Sequence, residues 1–479
     1  MPPAWRSDRA RPCSIHGLSI REWGSQMTTS HRRLSGSSPT SPGVLHRLHN
    51  PTIVGWQAHA KRLLHPRQAL LAAVLLTYIW RFHDLAPPLR PLRVAAIATV
   101  GTWAFLIVAP RLTVMLRVIR YPYVWLYILW SVWLGLLVPN ALSPDWAWTS
   151  WSGAHVKTLT MFLFLLGTIT SYAVLRSALA VHALGAGVLA FFYIKGGFPQ
   201  DVTPVPGYDR NDLALVLNFA LPFTLYLAMQ SKGPQERLLL WGTSLAIGTS
   251  VLMSQSRGGF ITLALVILFT MVRVKGVPLK VRLLPVVLLL GSLFFLPQNI
   301  KDRLGTMLNP SEDYNLTSET GRIQVWSRGM GYLKEHPLAG VGMSNFPVAE
   351  VTLSERARRG GQTTLVVSHN SYLQVAVESG IPGLLMYLGI LFSAGLSTVR
   401  LRRRLSRIRG SPHADRWLLL ADILTLTLIG YGFGSFFLSM AYSPMLPALL
   451  AMVAGFRYSV EIWIKRVKSA ARTAKAFGS

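Results

Sequence analysis

Charged residues are scarce in this sequence, and acidic residues are much scarcer than basic ones. Charged residues make up 14% of the 479 positions and hydrophobic residues 51%, whereas charged residues are about a quarter of a typical soluble protein. The 48 Lys and Arg against 19 Asp and Glu give a formal net charge of +29. These basic residues stand in short blocks between apolar segments, as in the cytoplasmic loops of membrane proteins. The composition therefore favours a membrane protein, and we expect no nucleic-acid partner.

Cysteine is nearly absent, since Cys13 is the only one, and this excludes an internal disulfide. The sequence also lacks a His/Cys metal spacing and a Gly-rich loop ending in Lys-Ser/Thr. It has no Asp-X-Asp pair of the kind that holds a metal–sugar-nucleotide complex; Asp209 and Asp212 are the nearest candidates and are spaced differently. A metal-dependent or nucleotide-fed transferase is therefore disfavoured. We expect no metal and no cofactor.

Both ends of the chain are polar and basic. Residues 1–65 are rich in Arg, Ser, Pro and His without a hydrophobic period, which predicts a disordered basic N-terminal tail. No apolar core there is followed by a small-residue cleavage site, so we expect no removable signal peptide. Met27 is an alternative start residue. Residues 465–479 are predicted to be a basic cytoplasmic tail.

Apolar spans of membrane length fill most of the rest. The fold class that they predict is an all-α polytopic membrane protein with about 12 transmembrane helices and one long extracytoplasmic loop. Helices 1–9 are expected within 66–297 and helices 10–12 within 381–464. The spans are placed at residues 67–82, 92–110, 121–139, 157–175, 178–195, 212–230, 237–253, 258–273, 281–297, 381–399, 416–438 and 442–463.

The basic loops predict the orientation of these spans. Blocks at 111–120, 273–282, 400–409 and 465–475 all fall on the side of the basic N-terminal tail. That side is the cytoplasm, so both termini are expected there. In a bacterium the membrane would be the inner one, with membrane lipids as partners and the active face on the periplasmic or extracellular side. Arg90 and Arg93 violate the pattern, since they fall on the outer side.

One long polar segment, residues 298–380, interrupts the spans. A loop of this length is usually functional or disordered, and this one carries Trp326, Tyr332 and Phe346, enough to fold into a small cap. Tyr372 to Val377 resembles a short helix that enters the membrane from outside and breaks at Gly380. Such a break is tolerated only beside a cavity or inside protein. We therefore expect a periplasmic loop that ends in a short re-entrant helix.

Arginines on the outer side are the first candidate binding residues. Arg257 stands in a turn too short to leave hydrocarbon depth, where a charge requires a partner or a ligand, and the glycines after it permit close approach of a backbone or a phosphate. Arg257 and Arg210 together suit a diphosphate, because guanidinium groups bind phosphate oxygens in pairs and stay charged. The alternatives are snorkelling or an acidic neighbour for Arg257, and a local pair with Asp209 or Asp212 for Arg210. Arg322 lies inside the long loop.

His369, which closes the long loop, is the candidate general base because imidazole titrates near neutral pH. The alternative is a structural histidine that caps a helix or fills a hydrogen-bonding position. Glu378, nine residues on, would orient His369 or cap the turn that follows it. With Asn370, which follows His369, it is assigned to substrate binding. His336 is interpreted as a surface residue.

The motifs that carry a family resemblance are Ser256-Arg257-Gly258-Gly259, Thr320-Gly321-Arg322 with Trp326, His336 to Gly342 with Asn345-Phe346, and His369 to Leu373 with Glu378 to Gly383. Taken in order, they resemble those of the O-antigen ligase superfamily. The resemblance covers roughly residues 92–457 and is strongest from Tyr208 onward, and the segment 195–222 is similar to the O-glycosylation-ligase branch.

The resemblance implies a multi-spanning glycosyltransferase on the outer membrane leaflet. Members take a glycan from undecaprenyl diphosphate and join it to a glycolipid, a growing glycan or a protein, and the ligases need no metal. Carried over motif by motif, Arg210 and Arg257 would hold the diphosphate and His369 would deprotonate the acceptor hydroxyl. Arg322 matches a loop position of less defined role.

Three other functions remain open at this point. A polysaccharide or O-antigen polymerase would use the same chemistry with a growing chain as acceptor. A transporter or flippase would place charges along a path through the spans, yet the spans from 212 to 297 hold few charges away from their ends. A purely structural role for this membrane protein would not explain why a charged residue, Arg257, stands at hydrocarbon depth.

Overall fold

The computed structural model of the protein describes residues 66–85, 93–108, 111–196, 208–273, 321–354, 365–408 and 412–477, with a few isolated residues between them. Every regular element in these ranges is helical. The predicted N-terminal tail (1–65) lies outside the described residues, as do most of the predicted span 281–297 and residues 299–320 of the long loop.

Sixteen α-helices are numbered here in chain order. They are α1 (Pro66–Tyr78), α2 (Phe82–Leu85), α3 (Val94–Val108), α4 (Leu112–Val118), α5 (Pro122–Leu136), α6 (Pro144–Trp148), α7 (Val156–Thr168), α8 (Tyr172–Gly196), α9 (Arg210–Gln230), α10 (Pro234–Met253), α11 (Arg257–Arg273), α12 (Arg322–Glu335), α13 (Phe346–Thr352), α14 (Ser371–Ser406), α15 (Pro412–Gly434) and α16 (Met445–Phe477). Two 3-10 turns (Val138–Asn140 and Ser435–Phe437) and a π-helical turn (Thr149–His155) complete the described elements.

The centre of the bundle is α9. It contacts α8, α10, α11 and α15, and its side chains are buried almost continuously from Leu213 to Ala228. A helix that is apolar and buried all round belongs in the interior of a large helical assembly. Pro222 lies inside α9 and is itself buried. The start of α9 is therefore fixed relative to four other helices.

The surface of the bundle is apolar in a way that a soluble protein avoids. Val108 is 82% exposed, Leu238 76% and Phe392 73%, and extended apolar surface of this kind marks contact with lipid or protein. Among the described residues, five helices are long and apolar enough to cross a membrane, namely α8, α9, α14, α15 and α16. The helices α3 and α4, which meet at a bend of 102°, would together make a sixth. The described chain is a multi-pass, all-helical membrane protein.

The predicted spans and the observed helices agree in position better than in number. Each predicted span other than 281–297 overlaps a described helix. Several of these helices are short; α5, for example, has 15 residues. The count of about twelve spans and the sidedness of the loops stay predictions. The predicted C-terminal tail is helical as far as Phe477, because α16 continues through it.

Residues 321–354, called the cap below, fold into α12 and α13 against the start of α14. Their small core contains Val325, Tyr332, Phe346 and Ala349, with Leu373 of α14. The buried Glu350 carboxylate accepts hydrogen bonds from the Arg328 guanidinium at 2.7 Å and from the Tyr332 hydroxyl at 3.0 Å. A buried carboxylate with charged and neutral donors on both oxygens is well compensated. The cap is thus held by a core and by an ion pair.

The helix α14 is broken at Gly380, where φ is 71°. The break frees the carbonyls of Val377 and Glu378, which accept from the amides of Val341 (2.8 Å) and Gly342 (3.0 Å). In return the amide of Ile381 donates to the Pro337 carbonyl at 2.8 Å. A Cβ atom on Gly380 would lie 2.2 Å from the Leu338 carbonyl oxygen. Only glycine therefore permits both the left-handed conformation and the close approach of the loop.

Candidate functional site

Arg257 is the first residue of α11 and is half-buried at a tight turn. The turn is formed by three buried residues, Ser254, Gln255 and Ser256. Gln255 is left-handed, with φ 54°. The Ser256 hydroxyl accepts a hydrogen bond from the Gly259 amide at 3.1 Å, so a local side chain satisfies a free donor of the new helix. The turn is as short as the sequence predicts.

The two glycines after Arg257 serve helix packing. A Cβ atom on Gly258 would lie 2.8 Å from the Phe437 Cβ, and one on Gly259 would lie 2.5 Å from the Ala214 Cβ. The carbonyl of Gly259 also accepts from the Asn218 amide group at 2.9 Å. The sequence predicts close approach of a backbone or a phosphate at these glycines, and in the structure it is Phe437 and Ala214 that approach them. Neighbouring helices fill the space and bring the turn at Arg257 against Phe437.

Arg210 is the first residue of α9, and its place is set by a capping box. The Asp209 carboxylate accepts from the amides of Asn211 (2.7 Å) and Asp212 (2.8 Å), and the Asp212 carboxylate accepts from the Asp209 amide (3.1 Å). Such reciprocal bonds satisfy free amides at the start of a helix. The two aspartates that the sequence offers as local partners of Arg210 thus both act as caps.

Arg322 begins α12, at the edge of the cap. Its guanidinium lies over the Phe437 ring, 5.9 Å from the ring centre. Trp326, one turn further along, packs edge-on against Phe436 with ring centres 5.3 Å apart. The indole N–H of Trp326 donates to the Ser368 carbonyl at 2.9 Å. The first turns of α12 therefore contact the same aromatic pair as the turn at Arg257.

His369 stands one residue before the N-cap of α14, in the left-handed region with φ 47°. A non-glycine residue in that region is uncommon and is often found at functional sites. Its amide donates to the Ser439 hydroxyl at 2.8 Å, and the Ser368 and Ser439 hydroxyls are 3.0 Å apart. The helix cap is Asn370, whose side-chain oxygen accepts from the amides of Tyr372 and Leu373. The alternative that His369 itself caps the helix is therefore wrong.

The surroundings of His369 favour the neutral imidazole. Burial lowers the pKa of His369 below its ordinary value, the nearby Arg322 guanidinium lowers it further, and the Asp209 carboxylate raises it in part. Both charges act on the ring, so the starts of α9, α12 and α14 meet around it. A neutral imidazole at neutral pH can accept a proton, which is what a general base requires.

Glu378 is fully buried, and the structure shows it bound to the backbone of the cap. Its carboxylate accepts from the amides of Ser344 (2.9 Å) and Phe346 (3.1 Å). These bonds hold the start of α13 against α14 beside the break at Gly380. For Glu378 and for the capping residue Asn370, contact with a substrate stays a prediction. His336, interpreted as a surface residue, is partly exposed at the end of α12.

The turn at residues 435–439, called the Phe437 turn below, is the part of the site that the sequence does not reveal. Phe437 contacts Arg322 and the helix start at Gly258, Phe436 contacts Trp326, and Ser439 binds the His369 backbone. The hydrophobic run includes this segment in the predicted span 416–438. The only signal against that interpretation is the pair of serines that flank two aromatic residues, Ser435 and Ser439.

The Phe437 turn thus joins three of the predicted site residues. The helix start at Arg257, the Arg322 guanidinium and the His369 backbone lie around it, and Asp209 brings the start of α9 beside His369. Arg210 follows Asp209 directly and lies near Tyr193 of α8, whose hydroxyl it affects electrostatically. Among the residues that the structure describes, no three His, Cys, Asp or Glu side chains lie close enough to hold a metal ion.

Comparison with known proteins gives one family. The family model described as O-antigen ligase matches residues 242–388 of the chain. The matched region contains Arg257, Arg322, His369, Asn370 and Glu378, while Arg210 and the Phe437 turn lie outside it. The curated proteins contain no match to this chain.

Proposed function

On the premise that the chain belongs to the O-antigen ligase superfamily, we propose that it is a membrane glycosyltransferase. It moves a glycan from undecaprenyl diphosphate to an acceptor hydroxyl at the outer face of the bacterial inner membrane. The observation that carries this proposal is that the helix start at Arg257, the Arg322 guanidinium and the His369 backbone all lie at the Phe437 turn. Cations at the ends of buried helices beside a neutral imidazole suit an anionic leaving group and a proton acceptor.

Arg210 and Arg257 bind the diphosphate in this mechanism. Both are half-buried first residues of helices whose starts are fixed, one by a capping box and the other by the Ser256 hydroxyl. A guanidinium held in place needs little reorganisation when charge develops on the leaving group. Both arginines also stand at helix N-termini, where the helix dipole favours a bound anion.

His369 acts as the general base. As the acceptor oxygen attacks the anomeric carbon, the imidazole takes the hydroxyl proton and a new C–O bond forms. The bond from the anomeric carbon to the diphosphate breaks, and its electron pair goes to the diphosphate oxygen beside the arginines. Because that anion is already stabilised, no acid is required for its departure. A single displacement of this kind inverts the anomeric centre.

The test is a transfer assay with purified full-length protein. A glycan on undecaprenyl diphosphate is mixed with candidate acceptors, namely a lipid A core, a second lipid-linked glycan and a protein. We expect His369→Ala to lower kcat by about 10²-fold to 10⁴-fold, the range for loss of a general base. His336→Ala, in the same cap, is the matched control and should keep full activity. Full transfer by His369→Ala would exclude the base assignment.

The acceptor that is used in the same assay distinguishes the two candidate functions, a ligase and a polymerase. Transfer to a lipid or protein acceptor identifies a ligase, and extension of the second lipid-linked glycan identifies a polymerase. Binding of the lipid-linked glycan without release of undecaprenyl diphosphate, unchanged in His369→Ala, would contradict both and favour a transporter.

A further inference from the structure

An apolar, partly open cavity of about 490 Å³ lies among three helices of the bundle. The end of α1 and the starts of α3 and α7 form its walls. Its lining residues are Thr77, Tyr78, Arg93, Ala95, Ala96, Thr99, Val100 and Lys157. Apart from the two cations, this lining offers mostly methyl and methylene groups. It therefore suits a hydrocarbon chain better than a polar ligand.

The polar atoms inside the cavity already bind each other. The Tyr78 hydroxyl and the Thr99 hydroxyl are 2.6 Å apart, and the Thr99 hydroxyl donates to the Ala95 carbonyl at 2.7 Å. A ligand is not needed to satisfy them. The hydrogen bonds close this wall of the cavity and leave an apolar surface, so specificity for a head group must come from the rim.

Two exposed cations stand on that rim. Arg93 is left-handed, with φ 46°, immediately before α3, and Lys157 is the second residue of α7. Within the described ranges neither forms an ion pair. The start of α3, which carries Arg93, also favours an anion through its helix dipole. Two cations beside an apolar cavity are complementary to a molecule that has an anionic head and a hydrocarbon tail.

We propose that this cavity binds one anionic phospholipid, with its phosphate between Arg93 and Lys157 and an acyl chain along the apolar lining. A free phosphate would leave the apolar lining unused, and a zwitterionic lipid would gain less from two cations. The proposal also gives a reason for Arg93, whose charge violates the predicted orientation of the loops. A cation that binds a lipid phosphate has a role on the outer side of the membrane, so it need not follow the pattern by which basic loops stay in the cytoplasm.

The cavity shares one helix end with the candidate site. Tyr78 lines the cavity, and the next residue, Ile79, accepts a hydrogen bond at its carbonyl from the Tyr208 hydroxyl at 3.4 Å. Tyr208 directly precedes the capping residue Asp209. A bound lipid would therefore stabilise the end of α1 against which the start of α9 is packed.

The experiment measures lipid binding to the full chain in detergent. Dioleoylphosphatidylglycerol and dioleoylphosphatidylcholine are added separately, and retained lipid is counted by native mass spectrometry. We expect one tightly bound phosphatidylglycerol per chain. Arg93→Gln with Lys157→Gln should weaken its apparent affinity about tenfold or more, as for the loss of charged hydrogen bonds. Lys232→Gln, an exposed lysine elsewhere, is the matched control and should have no effect.

A second variant tests the tail. Ala96→Phe fills the cavity at an exposed position, keeps both cations, and should abolish the tight phosphatidylglycerol. Equal retention of both lipids in all variants would show ordinary bilayer contact and overturn the proposal. Unchanged binding in Ala96→Phe, with displacement by glycerol phosphate, would also overturn it, since the site would then recognise phosphate alone.

Discussion

The residues to which we assign the chemistry stand at two turns. The two turns share a backbone conformation but differ in which hydrogen bonds hold them. Gln255 and His369 are both left-handed residues shortly before a helix begins. At the first turn the supporting hydroxyls are local: Ser254 accepts from the Ser256 amide and Ser256 from the Gly259 amide. The turn is therefore complete within a few residues of Arg257.

The turn at His369 depends on a distant part of the chain. Its amide is bound by the Ser439 hydroxyl, 70 positions away, and the Ser371 hydroxyl donates to the Leu438 carbonyl at 2.6 Å. The Phe437 turn must be in place before His369 can hold its conformation. Local hydrogen bonds thus hold the backbone of the turn before Arg257, whereas a distant segment holds the backbone at His369. Mutations that act on one turn and spare the other test this difference.

Among the variants that compare the two turns, the largest effect is expected at the turn before Arg257. Arg257→Ala should lower kcat/KM for the lipid-linked glycan by about 10²-fold to 10³-fold, as for removal of one donor that stabilises a developing anion. Arg257→Lys should recover only part of this, because an ammonium group cannot bind two phosphate oxygens at once. Steady-state kinetics with Arg273→Ala, at the far end of α11, as control measures the loss. Equal losses at Arg257 and Arg273 would remove the diphosphate assignment.

An intermediate effect is expected from the supporting serines. Ser439→Ala leaves the His369 amide without its acceptor, at a cost of about 1 kcal/mol, so we expect kcat to fall several-fold with KM little changed. Ser256→Ala weakens the turn at Arg257 instead and should mainly raise KM for the lipid-linked glycan. Ser439→Thr keeps the hydroxyl and should restore kcat. If both alanine variants changed kcat and KM alike, the two turns would not be separable.

The smallest effect is a shift of the pH profile. His369 acts as a base only when neutral, so activity should fall as pH drops through its pKa. Arg322 lowers that pKa, and Arg322→Gln should move the acidic limb to higher pH. Asp209 raises it, and Asp209→Asn should move the limb to lower pH while asparagine still caps α9. The kcat profile measures both; shifts in the same direction would contradict the arrangement of charges.

The sequence reveals the locally encoded part of this molecule. The apolar spans, the tight turn at Arg257 and the break at Gly380 all follow from composition and residue type over short windows, and the structure has a helix, a turn and a break at those places. The family resemblance supports His369 as the general base. The residue type alone does not distinguish a base from a structural histidine.

Other features depend on contacts between segments that are far apart in the chain. The Phe437 turn looks like the end of a hydrophobic span, because nothing local marks Ser439 as the partner of His369. The Glu378 carboxylate accepts hydrogen bonds from the Ser344 and Phe346 amides, which no spacing rule brings beside it. The length of each helix is also set by its neighbours, so hydropathy predicts where the described spans lie better than where each helix begins and ends.

The exchange of hydrogen bonds at Gly380 bears on the order in which the chain assembles. Residues 337–342 are synthesised before α14, and their amides occupy the carbonyls that the break leaves free. Without them, a nascent α14 in hydrocarbon would carry unsatisfied groups that cost several kcal/mol each. The loop therefore supplies the hydrogen-bonding partners that the broken helix needs. Because biosynthesis runs from the amino to the carboxyl terminus, the loop is made before that helix.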